Sequence, residues 1–220
     1  MKPTSVPAPT RPAHHVPAND DTAAMPLAVD LDGTLLLTDT LFEATAEQLR
    51  RRPLWTLWQL LQLPFAIARV KARLQRGVAL DVETLPVNEG VLAYCRRAKT
   101  NGRPVWLVSA ADQETVEKVA ARFDVFDRAI GSDGAINNKG ARKARLLEAA
   151  APQGFECVGD SPADMKVWAR AKVASHVGGG EVRKRAIEMM GVAVARSCER
   201  PRKQGVIAAG RKALRLHQWA

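Results

Sequence analysis

The sequence predicts an α/β fold: a Rossmann-like parallel sheet with helices on both faces and a small helical cap inserted after the first strand. Three observations predict it. Short apolar runs alternate with helical patterns along most of the chain. Three of those runs lead into a polar residue (Asp30, Ser109 and Asp160) at the strand ends where parallel sheets bind ligands. A long apolar stretch of helical pattern separates the first run from the second.

Residues 1–24 hold five prolines and almost no large apolar groups. Such a segment cannot bury enough surface to order itself, so it reads as a disordered Pro-rich tail. It lacks the apolar stretch of a secretory signal. His14 and His15 lie within it, and a histidine pair in a tail rarely holds metal.

Order is expected from Pro26. Leu27-Ala28-Val29-Asp30-Leu31 reads as a buried strand ending in an acidic loop. Similar runs follow at Pro104–Val108, Phe155–Val158 and Lys172–Val177, with a weaker one at Arg128–Gly131. Helical patterns cover Val87–Asn101, Gln113–Phe123, Lys139–Ala150 and Ala163–Ala171. The expected core is therefore residues 25–38 and 87–195, with a cap at 39–86 and a basic C-terminal tail at 196–220.

The cap segment is unusually apolar from Leu54 to Ala68, but Gln59, Gln62 and Pro64 interrupt it. It falls short of the roughly 20 residues that span a bilayer. Leu54, Leu57, Trp58 and Leu61 share one helical face. That face either closes over Asp30 and excludes water, or lies in a lipid headgroup layer beside Arg50, Arg51 and Arg52. Trp55 is offset from it and is expected to stay exposed in a pure cap.

The chain has 220 residues, of which 46% are apolar, enough for a real core. Its three cysteines, Cys95, Cys157 and Cys198, form no C-x-x-C pair. That argues against a zinc site or a disulfide framework and for a reducing, cytoplasmic setting. The net charge of +10 is uneven: seven basic residues and no acid lie between Arg50 and Arg76, and ten basic residues lie after Glu181. These are either solvated helix faces or attractors of an anionic surface. Charge alone is a poor case for nucleic acid, which is not expected as a partner.

Two motifs carry the chemistry. Asp30-Leu31-Asp32-Gly33-Thr34-Leu35 puts two carboxylates two residues apart at a strand end, with Gly33 allowing a sharp turn. Asp30 is suited to attack phosphorus, and Asp32 to act as acid and then base. With Asp30 in the site, the backbone carbonyl of Asp32 can face the same metal. Gly159-Asp160-Ser161-Pro162-Ala163-Asp164 adds two more carboxylates at another strand end. An all-oxygen set of this kind suits Mg²⁺, with Asp160 as ligand and Asp164 supporting from the next helix start. Ser109 offers a hydroxyl for a phosphate oxygen, together with the backbone N–H groups that follow it. Lys143 or its rival Lys139 can offset the charge of three aspartates and a phosphate.

These pieces, in this order, resemble the haloacid dehalogenase superfamily, whose pattern is D-x-D-G-[TV], then Ser or Thr, then Lys, then G-D-x-x-x-D. The resemblance covers about Pro26 to Val194. It implies an Mg²⁺-dependent phosphohydrolase acting on a small phosphorylated substrate. Asp30 would be the nucleophile and Asp32 the acid/base. Ser109, Ala110 and Lys143 would hold phosphate. Asp30, Asp32 and Asp160 would hold the metal, with Gly33, Thr34 and Asp164 in support. The cap position and Lys143-Ala144-Arg145-Leu146-Leu147 look like the phosphoserine phosphatase branch. Ala110-Ala111-Asp112 departs from its usual glycines, which argues against phosphoserine as the substrate.

A nearer resemblance is to the phosphatase-like domain fused ahead of UbiA-type prenyltransferases. Leu80–Pro86, Ser132-Asp133-Gly134, Asn138–Ala141 and Leu214–Ala220 carry it. It implies either an enzyme or a docking module beside a membrane prenyltransferase, at the inner face of the membrane.

Overall fold

The computed structural model describes residues 25–76, 80–133 and 138–200. The Pro-rich segment 1–24, Gly134 and most of the expected basic tail (201–220) lie outside the described residues.

Six parallel strands form one sheet: β1 (Leu27–Val29), β2 (Val105–Asp112), β3 (Arg128–Ser132), β4 (Glu156–Gly159), β5 (Val173–Val177) and β6 (Ala193–Cys198). Their order is β3-β2-β1-β4-β5-β6. Leu27 pairs with Val105 on one side and Glu156 on the other, so β1 lies between β2 and β4. Side chains alternate across a strand, so each strand feeds two cores. Leu27, Val29, Val105 and Leu107 pack on one face with Val91, Leu92 and Cys95 of α4 (Glu89–Thr100) and Val116 and Val119 of α5 (Gln113–Phe123). Ala28, Trp106, Val108 and Cys157 pack on the other. They meet Ala144 and Leu147 of α6 (Ala141–Ala150), Trp168 of α7 (Met165–Trp168) and Ile187 of α8 (Gly180–Glu188). This is the Rossmann-like fold expected, with helices on both faces.

The structure differs from expectation in three places. β2 runs on to Asp112, with a register shift against β3 after Val108. The helix expected over 163–171 is a 3₁₀ turn at Pro162–Asp164 followed by the single turn of α7. β6 and α8 went unforeseen, and β6 crosses the expected boundary at 195/196. It is an edge strand, and Arg196 and Ser197 break its apolar pattern.

The insert after β1 contains α1 (Thr40–Arg51), α2 (Pro53–Leu61) and α3 (Leu63–Arg76), which kinks at Ala66. Its last part departs from the expected cap of 39–86. Leu85 is in the main core, Leu80 and Val82 pack against it, and Arg122 donates to the carbonyls of Val82 and Leu85. Those residues belong to the core because they close its edge beside α5. α3 fastens the cap to the rim: Gln75 donates to Thr40 Oγ1 (3.2 Å) and accepts from the Asp112 N–H (2.8 Å). Arg76 pairs with Asp112 at 2.8 Å.

The orientation of α2 also overturns an expectation. Its buried residues are Thr56 and Gln59, while Leu54, Leu57, Trp58 and Leu61 are exposed and Trp55 is half-buried. The apolar face therefore points to solvent rather than over Asp30. Gln59 faces inward, where its Oε1 accepts from Arg73 of α3 at 3.4 Å.

Candidate active site

The carboxyl ends of three neighbouring strands build the site. Asp30 follows β1, Asp160 follows β4, and Ser109 lies on β2. The Asp30 N–H donates to the Val158 carbonyl at 3.0 Å, tying the first loop to β4. Gly33 has φ +77°, and a Cβ there would stand 2.5 Å from Asp160 Oδ2. Only glycine permits both the turn and this approach. Thr34, fully buried, donates to Asp160 Oδ1 at 3.4 Å.

Lys143 comes from the first turn of α6 and is buried. Its Nζ lies 2.6 Å from Asp30 Oδ1 and 3.5 Å from Asp164 Oδ1. Lys139 is exposed, so Lys143 is the lysine brought into the cleft. Asp164 closes a capping box, its Oδ2 accepting from the N–H groups of Asp160 (3.2 Å) and Ser161 (3.0 Å) and from Ser161 Oγ (2.7 Å).

Asp32 faces another way. Its Oδ1 accepts from the Thr40 N–H at 2.8 Å, at the start of α1, and its Oδ2 accepts from Ser109 Oγ at 3.5 Å. It thus sits between the cap and β2. Ser109 Oγ accepts from the Ala111 N–H at 3.0 Å, and the Ala110 carbonyl accepts from Ser132 Oγ at 3.0 Å.

Burial pushes the Asp30 carboxyl up from 3.8 to about 7, against the pull of Lys143. Burial pushes Asp32 up to about 6, against the hydrogen bond from Thr40. Burial by itself would depress Lys143, but the charges of Asp30 and Asp164 outweigh it and hold the ammonium above its ordinary value. Asp160 is also raised by burial, with Arg200 opposing.

Asp30, Asp160 and Asp164 each offer a carboxylate oxygen, all within 4.8 Å of one another. Mg²⁺ takes oxygen ligands, so the group is of the right donor type for one hard cation. The Asp32 carboxylate is not one of the three, which leaves only its backbone carbonyl for a metal role.

Arginines complete the rim. Arg200, just past β6, forms an ion pair with Asp160 and donates to the Gly33 carbonyl at 3.2 Å. Arg183 of α8 donates to the carbonyls of Asp160 and Val177. Sequence reasoning missed both, because the elements that carry them were missed. For Arg200, basic residues following an apolar Val192–Val194 run were the available signal.

The comparison with known families decides the class. Residues 27–168, more than half of the chain, match the haloacid dehalogenase-like hydrolase family. The chain belongs to that family.

Among relatives, this haloacid dehalogenase-like hydrolase is 34% identical over 204 residues to the uncharacterized protein y4nM of Sinorhizobium fredii (strain NBRC 101917 / NGR234). That match takes in 89% of this chain but 38% of y4nM, so the chain spans well under half the length of that relative. A phosphoserine phosphatase in apo form superposes with a TM-score of 0.55 at 17% identity, covering 88% of this chain and 98% of that one. A hydrolase of the same family, t0658 of Salmonella enterica serovar Typhi, gives 0.55 at 15% identity, covering 78% and 66%. At these identities the structural likenesses are of fold.

Proposed function

We propose that this hydrolase is an Mg²⁺-dependent phosphomonoester phosphatase working through an aspartyl phosphate on Asp30. One observation carries the reading. The Asp30 carboxylate is grouped with Asp160 and Asp164 and lies 2.6 Å from a buried lysine, at the ends of adjacent parallel strands. A structure-only role would not concentrate this much like charge in one rim.

Asp30 attacks the phosphorus of the substrate, and the leaving oxygen takes a proton from Asp32. Asp32 then takes a proton from water, whose oxygen attacks the phosphorus, releasing phosphate and restoring Asp30. A carboxyl raised to about 6 suits both duties near neutrality. Ser109, the Ala110 backbone and Lys143 hold the phosphoryl oxygens. Gly33, Thr34 and Asp164 keep Asp160 and Lys143 in position. Mg²⁺ held by Asp30, Asp160 and the Asp32 carbonyl would neutralise the charge gathered on the phosphoryl group.

The fold likeness to phosphoserine phosphatase supports a small phosphomonoester as substrate, while Ala110-Ala111-Asp112 speaks against phosphoserine itself. The finer setting is the cytoplasmic face of a membrane, beside a UbiA-type prenyltransferase. Its support is the resemblance of Leu80–Pro86 and Asn138–Ala141 to the fused domains. No described helix is long and apolar enough to cross a membrane. The complete set of reactive residues favours an enzyme over a catalytically silent docking module.

The test is hydrolysis of an aryl phosphate with and without Mg²⁺. Asp30→Asn should abolish turnover. Asp32→Asn should block the second step and let a phosphorylated Asp30 accumulate from a substrate with a good leaving group. Near-normal turnover by Asp30→Asn would overturn the mechanism.

A further inference from the structure

We infer that the outer face of α2 and the start of α3 dock the cap onto an anionic lipid surface. The helix is built inside-out. Its inner residues are the polar Thr56 and Gln59, hydrogen-bonded to the Arg52 carbonyl (2.9 Å) and Arg73 (3.4 Å). Its outer residues are Leu54 (82% exposed), Leu57 (52%), Trp58 (62%) and Leu61 (71%), and the apolar surface continues through Phe65 (89%) and Ile67 (51%) on α3. Scattered exposed apolar groups are normal, but a helix that turns three of its four leucines and a tryptophan outward and its glutamine inward is adapted to an apolar medium outside.

Charge selects which medium. No acidic residue occurs from Gln48 to Leu80. Arg52, Arg69 and Arg73 are exposed and have no acidic partner among the described residues. Arg50 and Arg51 share the single carboxylate of Glu47, leaving one net positive charge there. Leu, Trp and Phe on one face with arginines at the edge is the composition of an interfacial helix. The arginines would meet lipid phosphates while the apolar face enters the acyl boundary. A groove for a soluble protein partner has no need of an all-basic rim.

The inference deepens the peripheral setting proposed above, and its failure leaves the phosphatase reading intact. The experiment is co-sedimentation of the full chain with phosphatidylcholine vesicles, with or without phosphatidylglycerol, at low and high salt. Binding is expected to the anionic vesicles only, to weaken with salt, and to shift Trp fluorescence to the blue. Leu57→Glu and Trp58→Glu should each weaken binding by about tenfold or more. The triple change Arg52→Ala, Arg69→Ala, Arg73→Ala should weaken it about a hundredfold. Asp30→Asn should bind as the wild type does. Three results would overturn the inference. One is no binding at low salt. Another is full binding by folded Leu57→Glu, which would assign the attraction to the basic residues 201–220. The third is self-association without vesicles that buries Trp58.

Discussion

The Nζ of Lys143 lies 2.6 Å from Oδ1 of Asp30, across 113 residues of sequence. It is also 3.5 Å from Asp164, so one buried cation serves two carboxylates. Removing it leaves both without their counter-charge in a largely buried site. Lys143→Met should therefore cost about 3–5 kcal/mol of stability. It should also lower kcat by about 10²–10³. Lys143→Arg should not restore turnover, because the planar guanidinium cannot replace a compact ammonium between two carboxylates. Lys139→Ala, at an exposed position, should change neither quantity much. Thermal unfolding and aryl phosphate kinetics on the three variants check this. A Lys139→Ala effect as large as that of Lys143→Met would refute the assignment.

Acidity gives a second prediction. Asp30 rises from 3.8 to about 7 and Asp32 to about 6 on folding, chiefly through burial. Folded-state values above the unfolded ones mean that the native chain holds protons the unfolded chain has released. Stability of the metal-free protein from these two groups is thus full below about pH 4 and falls as pH rises to about 7. Bound Mg²⁺ requires the ionised carboxylates, so its stabilising effect should grow over the same window. Unfolding in a chelator and in Mg²⁺, followed across that range, measures both trends. Asp30→Asn should flatten the chelator curve. An unchanged slope in that variant would show that Asp30 is not the group responsible.

Much of this site was legible in the sequence because its carboxylates follow strands whose apolar runs are unmistakable. Asp30 and Asp160 both follow fully buried strands, and Gly33 and Gly159 mark the turns where backbone meets side chain. The choice between Lys139 and Lys143 was not legible. It depends on how the first turn of α6 rolls against the rim, which no local pattern encodes. The outward roll of α2 was hidden for a similar reason. Apolar residues occupy six of its nine positions, and which of them meet the rest of the cap depends on contacts with α1 and α3 that no local pattern encodes. β6 was lost because an edge strand, covered on one side only, tolerates Arg196 and Ser197.

The far end of the sheet makes a contrasting prediction. Glu156, buried on β4, pairs with Arg103 at 2.7 Å and accepts from Tyr94 Oη (2.8 Å) and Ser175 Oγ (2.6 Å). Every oxygen of the carboxylate is engaged, and the cluster lies at the opposite end of the strands from Asp30. Glu156→Ala should cost about 3–5 kcal/mol, by stranding the Arg103 charge in the core. At a temperature where the variant is still folded, kcat should be little changed. A selective loss of kcat without loss of stability would mean that the cluster communicates with the site.

Arg200 supplies the last prediction. Its guanidinium pairs with Asp160, the same carboxylate that is grouped with Asp30 and Asp164. It is held there by β6 and by its hydrogen bond to the Gly33 carbonyl. Arg200 and a divalent cation therefore draw on the same charge. Arg200 is partly exposed, so its hold on Asp160 is worth only about 1 kcal/mol. Replacing it with Ala should accordingly tighten Mg²⁺ binding by about fivefold. Calorimetric titration of the metal-free protein reads this without reference to turnover. Arg200→Lys should lie between the two, since it keeps the charge but loses the fork that reaches both Asp160 and Gly33. If Arg200→Ala instead weakens Mg²⁺ binding, the arginine orients Asp160 for the metal rather than competing with it. Arg200→Lys would then recover part of the lost affinity.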